Sequence, residues 1–218
     1  MAYFDYFPDL LLPSHSENRN SSTDFSKVKN LFKRGKIRDD CFQDATAFSK
    51  YAVVGDDRPD SVAHKVYKDD TLDWVVLLSN NIINVRDEWP MSQSDFQRYL
   101  DNKYDKVQLT QIHHYETKEI RLPDGKLILQ PGLKVDSNFT YKYNFQGTNY
   151  SVNDVTSVSN FQYEIDKNDE KRSIYLLREE YIGVIIDDMR DIMTYEDSSQ
   201  YIDDRTKKGD NLRILSPR

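Results

Sequence analysis

The sequence predicts an α+β fold. A small β-α-α-β module comes first, then an irregular antiparallel β region and a C-terminal amphipathic helix, with extended arms at both ends. Three observations carry this. Between Tyr51 and Asn81 a short strand-like run precedes two stretches of apolar residues at helical spacing. From Val107 to Leu177 the apolar period shortens to two. From Arg178 to Glu196, Tyr181, Ile182, Ile185, Met189, Ile192 and Met193 fall on one helical face, with acidic residues opposite.

Taken in order, the chain opens with MAYFDYFPDLLLP. Tyr3, Phe4, Tyr6, Phe7, Leu10, Leu11 and Leu12 make an apolar segment too short to be a domain. Such a segment adds an edge strand to its own protein or inserts into another. Residues 14–23 read as a Ser/Asn-rich linker, and Lys27 to Phe32 as a helical turn or extended arm. Residues 44–54 then read as a strand entering the module. Gly55-Asp56-Asp57 breaks it, and Pro59 sits where a first helical position tolerates a missing N–H. Val62, Ala63, Val66 and Tyr67 form one apolar face. Asp70 or Thr71 is expected to cap a second helix carrying Trp74, Val75, Leu77 and Leu78, ended by Asn80-Asn81. Both helices are too short to stand alone in water and must pack on each other and on the strand.

A returning strand is expected within Ile82 to Trp89, beside Tyr51–Val54. Ser92, with Asp95 three residues on, reads as the cap of a helix bearing Phe96, Tyr99 and Leu100 and ending at 103–105. Strand character is expected from Val107 to His114. Asp124-Gly125 reads as a hairpin turn between 120–122 and 127–129. Further strands are expected at 139–145, 148–152 and 155–165, the last pairing with Ser173–Leu177. The polar stretch from Asp197 reads as a terminal arm or a disordered tail. The expected divisions are 1–44 (arm and linker), 45–102 (module), 103–196 (β region with helix) and 197–218 (tail).

Composition sets the outer limits. The 218 residues have room for a real core, and 38% hydrophobic against 31% charged is polar for a globular chain. Fifteen Tyr, ten Phe and two Trp argue against general disorder and suit interfaces. A net charge of −7 argues against broad nucleic-acid binding, since the basic clusters at 27–38 and 205–208 are short. The single Cys41 excludes an internal disulfide and a cysteine zinc site. No apolar run is long enough to span a membrane, and the start lacks the pattern of a signal peptide.

The module resembles a LysM-type fold. More specifically, Arg58-Pro59-Asp60, Ala63, Tyr67, Leu72-Asp73-Trp74, Leu77-Leu78 and Asn80-Asn81 resemble the LysM-like region of the baseplate wedge proteins of contractile-tailed phages. The likeness is strongest over 45–102 and extends loosely to about residue 196. Ile112-His113-His114-Tyr115, Asp124-Gly125, Tyr163-Glu164, Asn168 and Lys171-Arg172 follow in the family's order. The resemblance implies a structural subunit of the virion tail, assembled in the host cytoplasm. Its partners would be other wedge proteins and neighbouring wedges of a sixfold ring, with neither nucleic acid nor membrane. The alternative it leaves open is a LysM-type module binding peptidoglycan, an N-acetylglucosamine polymer.

The sequence makes no positive case for an enzyme, a cofactor or a metal. Cys41 has no nucleophile signature, no Gly-rich phosphate loop occurs, and the paired aspartates are those of any acidic chain. His113, His114 and Glu116 are the one tempting constellation. Neighbours on a strand point to opposite faces, so the two histidines are not expected to share an ion. The candidate interface residues are Tyr3, Phe4 and Phe7 of the first segment, Tyr67, Trp89 before Pro90, and Ile185 and Met189 of the last helix. Trp89 is read as a partner anchor, so Trp89→Ala is expected to weaken wedge joining and leave the chain folded.

Overall fold

The computed structural model describes residues 2–13, 25–40 and 46–209. A 3-10 turn (Tyr3–Tyr6) leads into β1 (Asp9–Pro13), and β2 (Phe25–Lys29) and β3 (Phe48–Ala52) precede helices α1 (Pro59–Tyr67) and α2 (Asp73–Ser79). Helices α3 (Val85–Glu88), α4 (Gln93–Lys103) and α5 (Lys106–Thr110) follow. Strands β4 (Ile112–Thr117), β5 (Ile120–Arg121), β6 (Leu127–Leu129), β7 (Lys134–Val135), β8 (Tyr141–Phe145), β9 (Thr148–Val152) and β10 (Val155–Ser159) lead to α6 (Asn160–Glu170). Next come β11 (Ser173–Leu177), α7 (Ile182–Ile192), β12 (Tyr201–Asp203) and β13 (Thr206–Lys208). The α+β class is the expected one. Cys41, the whole 14–23 linker, the start of the 44–54 strand and the end of the tail lie outside the described residues.

The chain forms two compact units, Met1–Val53 with Asp57–Glu88 and Ile174–Arg218, and Val54–Asp56 with Trp89–Ser173. In the first unit, α1 starts on Pro59 and ends where Lys68 turns left-handed at φ 61°. Asp69, rather than Asp70 or Thr71, begins the next turn, its carboxylate accepting from the Thr71 N–H (2.9 Å) and hydroxyl (2.7 Å). Those bonds hold the Asp69 carboxyl below the usual carboxylate range. Val62, Ala63, Tyr67, Leu72, Trp74, Val75, Val76 and Leu78 bury the facing sides of the two helices.

Three expectations are corrected here. The residues from Ile82 to Trp89 do not return as a strand. Glu88 reaches back to the N–H groups of Ile83 (2.6 Å) and Asn84 (2.9 Å), closing a helical turn instead. The partner of β3 is β11. The stretch from Tyr201 to Lys208 is no free arm either, because β12 and β13 join a four-stranded sheet in the order β12-β13-β1-β2. There β1 is an inner strand, parallel to β13 (Asp9 opposite Thr206) and antiparallel to β2 (Asp9 opposite Lys29). The 27–32 stretch supplies β2 and the loop after it, and the last helix begins with a 3-10 turn (Glu179–Tyr181).

In the second unit, Ser92 caps α4 as expected, accepting from the Asp95 N–H at 3.1 Å. The expected strand at 107–111 is instead α5, because Gln108 closes a capping box on Asp105. The expected strand at 155–165 splits at Ser159, whose hydroxyl accepts from the Gln162 N–H (3.2 Å) and starts α6. Its first half, β10, pairs antiparallel with β4 in the sheet β10-β4-β7, not with β11. The expected hairpin forms, β5-β6 turning through Gly125 (φ 84°), and the two further strands pair as a second one, β8-β9 turning through Gln146 (φ 51°) and Gly147 (φ 80°).

Candidate assembly surface

Most of the aromatic residues proposed for contact serve the chain's own packing. Tyr6 and Tyr3 lie against the Trp74 ring, with centroids 5.5 and 5.9 Å away, and Phe7 packs edge-on to Tyr3 at 4.9 Å. The segment therefore docks on its own unit. Lys29 donates to the Phe7 carbonyl at 2.9 Å, and Arg205 donates to those of Asp5 (3.1 Å) and Tyr6 (3.0 Å). Tyr6 and Phe7 are buried, Tyr3 is half-buried, and Phe4 points outward, 60% exposed.

Tyr67 is buried and its hydroxyl donates to the Leu177 carbonyl at 2.8 Å, tying α1 to the end of β11. Burial pushes its hydroxyl above the ordinary tyrosine range. Ile185 and Met189 are buried as well. Met189 fills the space where Gly35 lacks a side chain, since a Cβ there would strike its Sδ and Cε. Trp89 is a correction: at 6% exposure it belongs to the core of its unit. Removing it takes away core packing, so Trp89→Ala is expected to destabilise its unit rather than leave it untouched.

The most exposed aromatic in the described residues was missed. Phe32 is 96% exposed, and Leu31 beside it is exposed too. The loop beneath them is held firmly. Asn30 accepts from the Phe32 N–H (3.1 Å) and donates to the Tyr195 hydroxyl (2.9 Å). The Lys33 ammonium donates to the carbonyls of Ile192 (3.0 Å) and Thr194 and lies 5.0 Å from the Tyr195 ring centroid. Burial lowers the Lys33 ammonium's pKa below the ordinary lysine range. The signal was an adjacent Leu-Phe pair inside a basic run, obeying neither period.

The polar clusters read as structure. His113 and His114, expected to point apart, turn towards each other with their Nδ1 atoms 2.8 Å apart, and Glu116 takes the Nε2 of His114 at 2.7 Å. The ring of Tyr163 stacks on His113 at 3.9 Å. Each close nitrogen of the pair is used by the other ring. No group of three or more metal-ligating side chains occurs among the described residues. Glu164, with 3% of its side chain exposed, receives Lys103 (2.8 Å), Tyr104 (2.9 Å) and Tyr99 (3.2 Å). Burial alone would raise the Glu164 carboxyl, but the Lys103 and Tyr104 bonds bring it below the carboxylate range. An open groove of about 450 Å³ in the first unit is lined by Ser49, Val66, Leu177, Arg178, Glu179 and Glu180. No aromatic ring lines it.

Among the described residues, exposed apolar side chains thus stand on a hydrogen-bonded loop. Residues 4–122 match the family model described as base plate wedge protein 53. No curated protein matches the chain.

Proposed function

The chain belongs to the base plate wedge protein 53 family, and from that premise we propose that it joins neighbouring wedges into the sixfold baseplate of a contractile phage tail. It would be made in the host cytoplasm and reside in the virion tail. The observation that carries this reading is the family match over 4–122, the stretch that also holds Phe4, Leu31 and Phe32. Exposed apolar residues on a rigid frame suit an interface, where aromatic side chains supply much of the binding energy. The LysM-like reading of residues 45–102 enters here as part of the proposal. Strand β3 and helices α1 and α2 would form its first three elements; the strand that pairs with β3, β11, lies outside those residues.

The test is phage assembly with Phe4→Ser, Leu31→Ser and Phe32→Ser combined in the full chain. Wedges are expected to accumulate while closed sixfold baseplates are lost. Normal baseplate yield with this variant would sink the joining role. A parallel pull-down on insoluble peptidoglycan separates the alternative: retention competed off by N-acetylglucosamine oligomers would make the module a wall binder.

A further inference from the structure

The hairpin of β8 and β9 is a two-stranded sheet of its own. Its register sets Phe145 opposite Thr148, Tyr143 opposite Tyr150 and Tyr141 opposite Val152. By the period of two, these six share one face. Lys142, Asn144, Asn149 and Ser151 take the other, where the Asn144 and Asn149 side chains bond at 2.8 Å. The ribbon is thus amphipathic. On its apolar side Tyr143 stacks with Tyr150 at 5.2 Å and Tyr141 follows at 6.3 Å, yet Tyr150 is still 43% exposed. A two-stranded ribbon is marginal in water without a third strand or a covering layer.

Its outer edge is also unguarded. Natural edge strands are protected by charges, prolines, bulges, shortness or a cover. In this chain β2 carries Lys27 and Lys29, β7 carries Lys134 and β12 carries Asp203. Strand β10 breaks register between Val158 and Ser159, and β6 has only three residues. Strand β9, Thr-Asn-Tyr-Ser-Val, has five residues in unbroken register, with no charge and no proline. In a two-residue hairpin the pair flanking the turn is hydrogen-bonded. Tyr150 and Val152 therefore bond inward, and Asn149 and Ser151 offer their N–H groups to the open edge.

We infer that the free edge of β9 accepts an extended β-segment of another tail protein, uncharged on its aromatic-facing side, which adds a third strand to the hairpin. This rests on the baseplate reading above. On the aromatic side the partner's side chains are uncharged, because that face carries no charge and a buried charge there would find no counterpart. A second copy is a poor occupant. Four half-covered aromatics would bury roughly 300–400 Å² per copy, short of the ~1,200 Å² total that stable interfaces need. Strand addition adds backbone hydrogen bonds that face-to-face packing lacks.

The test is amide hydrogen exchange of the full chain, free and within purified baseplates. The Asn149 and Ser151 amides are expected to exchange at least about tenfold more slowly in the baseplate. Unchanged rates in baseplates that contain the chain overturn the inference alone. Absence of the chain from purified baseplates overturns the tail reading as well. Protection that grows with concentration in the free chain would make the occupant a second copy and overturn the stated partner. Ser151→Pro removes one outward donor at an edge position that tolerates proline. Its incorporation against wild type should fall about tenfold, with Lys142→Ala incorporated normally; equal incorporation of Ser151→Pro overturns the proposal.

Discussion

The side-chain amide of Asn80 clasps the backbone of Tyr175, donating to its carbonyl at 2.8 Å and accepting from its N–H at 2.7 Å. A single side chain thereby does the work of a neighbouring strand on the outer edge of β11. The same amide nitrogen also reaches the Val76 carbonyl at 2.8 Å, so the end of α2 and the edge of β11 are fixed together. Asn80→Ala should cost about 1–2 kcal/mol, and Asn80→Asp at least as much, because it sets a carboxylate against two carbonyls. Urea unfolding of both variants checks this; midpoints equal to wild type would show that water replaces the clasp at no cost.

Tyr67 offers a pH-dependent test. Its folded pKa is raised above the unfolded value, so its contribution is fully present below about pH 10 and is lost as pH rises further. Tyr67→Phe should cost about 1–2 kcal/mol at neutral pH by stranding the buried Leu177 carbonyl. Above pH 10 the gap between variant and wild type should shrink. Denaturant titrations at pH 7 and pH 11 measure both numbers.

Glu164 titrates in the opposite sense. Its folded pKa lies below the unfolded value of about 4.3, so its contribution is present above that pH and lost as pH falls through the folded value. Lys103→Met, which leaves a buried carboxylate with only two hydroxyl donors, should cost about 2–4 kcal/mol at pH 7. The cost should fall away below about pH 4. A pH-independent difference would place the effect in lost packing rather than charge.

Trp89→Ala should destabilise its unit by about 3–5 kcal/mol. Loss of wedge assembly by this variant would then report unfolding, and only a thermal melt indistinguishable from wild type would restore Trp89 as a contact residue.

What the sequence made legible was local. Pro59 at the start of α1, Ser92 at the start of α4 and the turn at Gly125 each depend on residues within four positions. The misses fall into two kinds. At Asp105 and Ser159, a side-chain cap overrode strand-like composition and set α5 and α6 in place. The pairings of β3 with β11 and β1 with β13 join distant parts of the chain, which local periodicity cannot encode. The surface was least legible. Exposure of Phe32 depends on what Asn30 and Lys33 hold beneath it, and burial of Trp89 runs against its loop-like setting before Pro90.

The inner position of β1 has a consequence for synthesis. Residues 9–13 are made well before one of their two neighbours, β13. Loop closure over such a distance is slow, and until it happens β1 can pair only with β2. The sheet is therefore finished only once β13 has been made. A ribosome that stops early releases a chain with a bare Leu-Leu-Leu edge, open to chaperones and proteases before it can enter a tail.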